Sequence, residues 1–286
     1  MGRVVVDLWA TKQSGPAALR HHSVVVINNK MYVYGGYNSS PVNTLYEYDP
    51  TTNTWTTKAA GPAARRLHSA VTINNKMYIY GGQDGGGGAV NTLYEYDPAT
   101  NTWLTKATGP ATRFIHSAAA INNKMYIYGG QDGSGGTNTL FEYDPTTNTW
   151  TTKAAGPAAL RYHSVVAINN KMYVYGGLGG GGVVNTLYEY DPATNLWSAK
   201  TAGPAARIQH SAVTINNKMY IYGGQDGGGV VNTLYEYDPG TDTWSTKAAG
   251  PVPTHVHKAG AISGVMYVYG GYDGSASTNT FYEYTP

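Results

Sequence analysis

Six of the seven arginines in this chain stand in segments of one kind, each a few residues before a histidine: Arg20 in Leu19-Arg20-His21, Arg65 and Arg66 in Arg65-Arg66-Leu67, Arg113 in Arg113-Phe114-Ile115, Arg161 in Leu160-Arg161-Tyr162, and Arg207 in Arg207-Ile208-Gln209. A planar guanidinium fork suits carboxylate and phosphate, so the chemistry this pattern could perform is recognition of an anion. Tyr162 belongs to one of these segments, while Tyr37 and Tyr272 lead two of the loops that follow a Gly-Gly pair. Their rings could stack on a sugar or a peptide. The competing reading is that each arginine caps nearby carbonyls or pairs with Asp84, Asp132, Asp226 or Asp273.

Other groups invite sharper chemistry and support it less. His22, His68, His116, His163, His210 and His257 occupy equivalent places and should form a ring. Imidazole is a common metal ligand, but metal bonds of about 2.0–2.1 Å need ligands that converge. A ring this wide argues against a metal, and no cofactor is expected. The His-Ser pairs put adjacent residues on opposite faces of a strand, the wrong geometry for a nucleophile and its base. The acids of the third strands (Glu47, Glu95, Glu142, Glu189, Glu236, Glu283) come one per unit and do not pair. Gly-rich runs such as Gly85–Gly88 and Gly179–Gly182 lack the Lys-Ser/Thr and the helix of a phosphate cradle. No catalytic residue is assigned.

The elements that position these residues come from a repeat. Tryptophans at 9, 55, 103, 150, 197 and 244 recur every 46 to 48 residues, in step with Gly-Gly pairs at 35, 81, 129, 176, 223 and 270. Each unit reads as four short strands: one like Ser69-Ala-Val-Thr-Ile closed by Asn-Asn, one like Lys-Met-Tyr-Ile-Tyr, one like Leu-Tyr-Glu-Tyr-Asp, and one carrying the Trp. Four strands in about 45 to 50 residues make a propeller blade. The order Arg-x-x-His-Ser, Tyr-x-Tyr-Gly-Gly, Tyr-Asp-Pro, Trp closely resembles the kelch repeat, six times over, across essentially the whole chain. The resemblance implies blades whose Tyr and Trp pack on a neighbour, and a protein-interaction platform rather than an enzyme.

The expected fold is therefore all-β: a six-bladed β-propeller with four antiparallel strands per blade, one domain over residues 1–286. The chain ends on a third strand and begins with something like a fourth. Residues 3–13 should thus complete the blade formed by 257–286, placing Trp9 beside Tyr284. The segment before each histidine and the loop after each Gly-Gly differ most between units, and both should surround one mouth of the channel. Loops on a rigid scaffold are where binding usually sits.

Composition closes off several classes. There are no cysteines, hence no disulfides, thiolate sites or copper–Tyr–Cys oxidase of the kelch group. A net charge of +2 gives no reason to expect nucleic acid or a membrane as partner. No apolar run reaches the roughly 18 residues of a membrane helix, and the start does not read as a signal peptide. A soluble monomer is expected, its compartment undetermined. Its function reads as a non-catalytic binding or scaffold module for a protein, a peptide or a small anion at the channel mouth. Two alternatives stand beside this: a sugar-acid lectin or kelch-type sugar isomerase using the Arg-rich mouth, and a designed or freshly amplified array with no evolved ligand.

Overall fold

The computed structural model describes residues 7–286 and contains no helix. Six antiparallel four-stranded sheets form, one per unit. In the first blade the strands are Ser23–Ile27, Lys30–Tyr34, Leu45–Asp49 and Thr54–Lys58, in that order from inside to outside. The inner strands touch their neighbours in sequence, and Lys258–Ile262 of the sixth blade packs on Ser23–Ile27 of the first, which closes the ring. The last blade is completed from the other end of the chain. Leu8–Thr11 pairs with Phe281–Thr285, with Trp9 opposite Tyr284. Residues 3–6 of the expected closing strand lie outside the described residues.

Local chemistry explains the elements. The Asn28-Asn29 pair, and its equivalents, sits at φ of 50° and 59°, the left-handed conformation a two-residue hairpin turn requires. Alternation along the first inner strand sends Val25 and Ile27 into the core shared with the second blade and Val24 and Val26 against the core shared with the sixth. Each Gly of the pair allows a close backbone approach. A Cβ on Gly36 would lie 2.8 Å from the Arg20 carbonyl and from the His22 Cβ.

Each hydrophobic cluster spans two blades. Trp103 packs on Tyr96 of its own blade and on Tyr34 of the preceding one, with ring centroids 4.9 and 5.1 Å apart. Its Nε1 donates to the Ala59 carbonyl of that preceding blade. Trp9, Trp150, Trp197 and Trp244 repeat the hydrogen bond. Trp55, at the seam between the sixth and first blades, lacks it and packs on Phe281 instead. The outer lysines are ion-paired: Lys58 Nζ lies 3.4 Å from Glu47, which also accepts from Lys30 and the Tyr32 hydroxyl. These lysines and hydroxyls hold the Glu47 carboxyl below its usual pKa against the opposing effect of burial, the largest single influence on it.

Candidate functional site

The segment before each histidine and the loop after each Gly-Gly meet on one face. Arg20 forms a backbone bridge with Tyr37, Arg66 with Gln83, Arg161 with Leu178, and His255 with Tyr272. Phe114 and Ile208 bridge Gln131 and Gln225 in the same way, and the residue after each of the six, namely His21, Leu67, Ile115, Tyr162, Gln209 and Val256, has φ between 50° and 59°. For β-branched Ile115 and Val256 this is a strained conformation. A closed belt of backbone hydrogen bonds holds it. Leu67 N–H donates to His21, Ile115 to Leu67, Tyr162 to Ile115, Gln209 to Tyr162, Val256 to Gln209, and His21 back to Val256, over 2.9 to 3.2 Å. The side chains of these six narrow the channel to a cavity of about 50 Å³. Tyr162 is thus part of the constriction rather than of the outer rim. No signal in a single unit reveals the belt, because it exists only between units.

The arginines divide into two sets of three. Arg65, Arg113 and Arg207 are 2 %, 1 % and 0 % exposed. Each reaches under the mouth to the first carbonyl of its own Gly-Gly pair: Nη1 donates to Gly81, Gly129 and Gly223 at 2.9, 3.0 and 3.1 Å. Arg65 and Arg207 donate further to Thr92 Oγ1 and Thr233 Oγ1. Their guanidinium carbons lie 4.6 to 4.9 Å from the ring centroids of Tyr94, Phe141 and Tyr235. Burial lowers the pKa of all three, and a guanidinium keeps its charge regardless. Asp84, Asp132 and Asp226 stabilise those charges through space without forming ion pairs. The carboxylates themselves accept backbone N–H groups of their own loops.

Arg20, Arg66 and Arg161 stand one residue further along and stay partly exposed. Arg20 lies 4.9 Å from the Tyr37 ring centroid and 5.0 Å from that of Tyr272, so it is flanked by both. Arg66 lies 5.0 Å from Tyr37 as well. His255 meets Tyr272 edge-on, extending the row. Arg161 makes only a long contact to Gln131 Oε1, 3.4 Å. None of the three has an acidic partner among the described residues. Beside Arg20, Tyr37 and Tyr272 a cleft of about 420 Å³ opens between the sixth and first blades, floored by Ala18 and edged by Ser39 and Ser277.

Beneath the constriction lie the six histidines, buried and edge-on to a tyrosine of the preceding blade, as His68 is to Tyr34 at 5.4 Å. Burial drives their pKa values down, to about 3 for His163 and His257, with Lys258 adding to the effect. Serine and histidine do pair, but between blades: Ser23 Oγ with His68 Nε2 at 2.9 Å, Ser164 with His210 at 2.7 Å, Ser211 with His257 at 2.8 Å. Reasoning within one unit missed this. The Nδ1 atoms of His68, His210 and His257 have no partner, so the pairs lack the third group that orients a catalytic imidazole. No three histidine or acidic side chains among the described residues are placed to hold a metal ion.

Comparison with known proteins agrees with the architecture. Residues 22–156 match a KLHDC2/KLHL20/DRC7 kelch-repeats domain, and residues 159–201, 206–249 and 255–286 match the kelch motif. The chain belongs to the kelch-repeat family. Among solved structures the kelch propeller is similar to one titled "Structure of YjhT", with a TM-score of 0.81 at 18 % identity over 93 % of this chain and 95 % of that one. At that identity the likeness speaks for the fold. No curated protein matches in sequence. Kelch propellers are usually binding modules, commonly for proteins or peptides. No helix among the described residues is long and apolar enough to cross a membrane.

Proposed function

We propose that this kelch propeller is a non-catalytic binding module whose mouth takes an acidic peptide, anchored at the cleft of Arg20, Tyr37 and Tyr272, with Arg66 against the same Tyr37 ring. The observation that carries this reading is the state of the rim arginines. Arg20, Arg66 and Arg161 have no carboxylate partner, and two of them are held against tyrosine rings. A guanidinium fixed on an aromatic face is already ordered, so less freedom is lost when a carboxylate docks. Arg20 and Arg161 also belong to blades whose loops carry Asn38 and Gly179 where others carry Asp84, Asp132 and Asp226, so their charge is locally uncompensated. Arg65, Arg113 and Arg207 are part of the wall behind the site and take no direct share in binding.

The test is a calorimetric titration of the protein with a Glu-rich peptide and, separately, with a sugar acid, at about 50 and 200 mM salt, a range over which exposed charge attraction weakens. Binding of the peptide that weakens with salt, and weakens further in Arg20→Gln, is the expected result. Binding of the sugar acid alone would move the assignment to a lectin-type site. Binding of neither would end it.

A further inference from the structure

Five blades begin the inner strand with a serine: Ser23, Ser69, Ser117, Ser164 and Ser211. The sixth begins it with Lys258. All six line one cavity of about 110 Å³ just below the histidine ring. Where Ser23, Ser164 and Ser211 each pair with the imidazole of the next blade, Lys258 stands at the position that would serve His22, and both ring nitrogens of His22 are without a partner. Lys258 is half-buried, with its open side in the channel, and Nζ has no hydrogen bond or ion pair among the described residues. The belt holds more unused polar groups: Ser69 Oγ and both nitrogens of His116 and of His163. Neither this cavity nor the one above it has an acidic residue in its lining. The charged groups that act on the histidines from the surrounding blades are Lys258 and the buried Arg65, Arg113 and Arg207, all cationic.

A partly desolvated ammonium with no counter-charge is costly, and the cost falls when an anion shares its cavity. We propose that the channel holds a small monovalent inorganic anion of chloride size on Lys258, with the serine–histidine belt supplying further donors. The space admits only a few water-sized bodies, which excludes a peptide or sugar. The constriction narrows the route from the mouth to a cavity of about 50 Å³, which Ser117 and Lys258 also line. The opposite end is open, through a cavity of about 300 Å³ lined by small apolar residues such as Val24, Ala118 and Ala167. The site lies on the channel axis below the rim, and Arg20, Arg66 and Arg161 are not in its lining. Desolvation lowers the Lys258 pKa, and a bound anion opposes that shift.

Two measurements with bromide and chloride test this. Crystals grown in sodium bromide should show an anomalous peak on the axis within hydrogen-bond distance of Lys258 Nζ, unchanged in Arg20→Gln/Arg66→Gln/Arg161→Gln. In solution, replacing gluconate by chloride at constant ionic strength should raise the melting temperature, by roughly 5 °C once chloride reaches a hundredfold of its Kd. Lys258→Ser restores the residue the other five blades carry, so it should fold and lose the chloride response. Absence of the axial bromide peak would overturn the proposal, as would a chloride response equal in the Lys258→Ser protein.

Discussion

Arg207 and Arg161 both stand between a Pro-Ala-Ala run and a His-Ser pair, yet one is sealed under the mouth and the other stands on its rim. The difference is one residue of offset. Position 207 and its equivalents point into a socket formed by a Gly-Gly carbonyl and a third-strand ring. Position 161 and its equivalents pair with the loop above. Leu19, Leu160 and Thr254 fill the socket in the other three blades, all buried. The sockets with arginine are those whose loop reads Gln-Asp: Gln83-Asp84, Gln131-Asp132 and Gln225-Asp226. Those with leucine have Tyr37-Asn38 and Leu178-Gly179 above them. A buried cation thus goes with an acid nearby, and a rim arginine without one is free to take an acid from elsewhere. Thr44 and Thr186 complete the contrast. In the leucine blades their hydroxyls are orphaned, whereas their equivalents Thr92 and Thr233 accept from arginine.

The strongest way to break this arrangement is acid. The six channel histidines are neutral when folded, with pKa values far below 6.5. Unfolded, they titrate at their ordinary value. Their stabilisation is therefore complete above about pH 6.5 and is lost below it, by about 1.4 kcal/mol per pH unit for each histidine. Six acting together should unfold the propeller steeply between pH 6 and 4, as circular dichroism would show. A melting temperature flat across that window would mean that the histidines protonate in place.

The buried arginines come next. Arg207→Ala empties a socket and leaves the Gly223 carbonyl and Thr233 Oγ1 without their donor. It should cost about 3 to 5 kcal/mol in chemical denaturation. A loss no larger than that of Arg161→Gln would erase the distinction between the two sets.

A smaller effect tests the link between socket and loop. Leu160→Arg alone should destabilise by about 1 to 3 kcal/mol, since it buries a cation beneath a loop without an acid. Adding Gly179→Asp, where a Cβ meets only ordinary contacts, should recover about 1 kcal/mol of that as a coupling between the two sites. Strict additivity of the two changes would show that the loop acid and the buried cation are unrelated.

Most of the fold was legible in six copies of one unit. Trp spacing, Asn-Asn turns and the Gly-Gly pairs each demand a particular backbone, and Trp9 falls opposite Tyr284 as the mismatched ends require. The site was legible only to the level of the segment. That the arginine segments and the Gly-Gly loops share a face follows from strand order. Which arginines face out depends on a bridge between them, one residue after the socket. The loop Asp marks the blades with a buried arginine, at Asp84, Asp132 and Asp226, but does not sort Arg65 from Arg66, and Asp273 stands in the blade where Thr254 fills the socket. The mouth belt and the Ser–His pairs were not readable, because each joins one blade to the next through geometry that no single unit contains.

The most direct measurement sets the rim against the socket. Arg20→Gln/Arg66→Gln/Arg161→Gln removes three charges that hold no carboxylate and no buried carbonyl. Its melting temperature should stay within about 2 °C of the parent, as exposed substitutions away from structural contacts do. Its affinity for a Glu-rich peptide that the parent binds should fall at least about tenfold at low salt, with a flatter salt dependence. A large drop in melting temperature with the peptide affinity unchanged would contradict the account: the rim arginines would then belong to the frame, like the buried three.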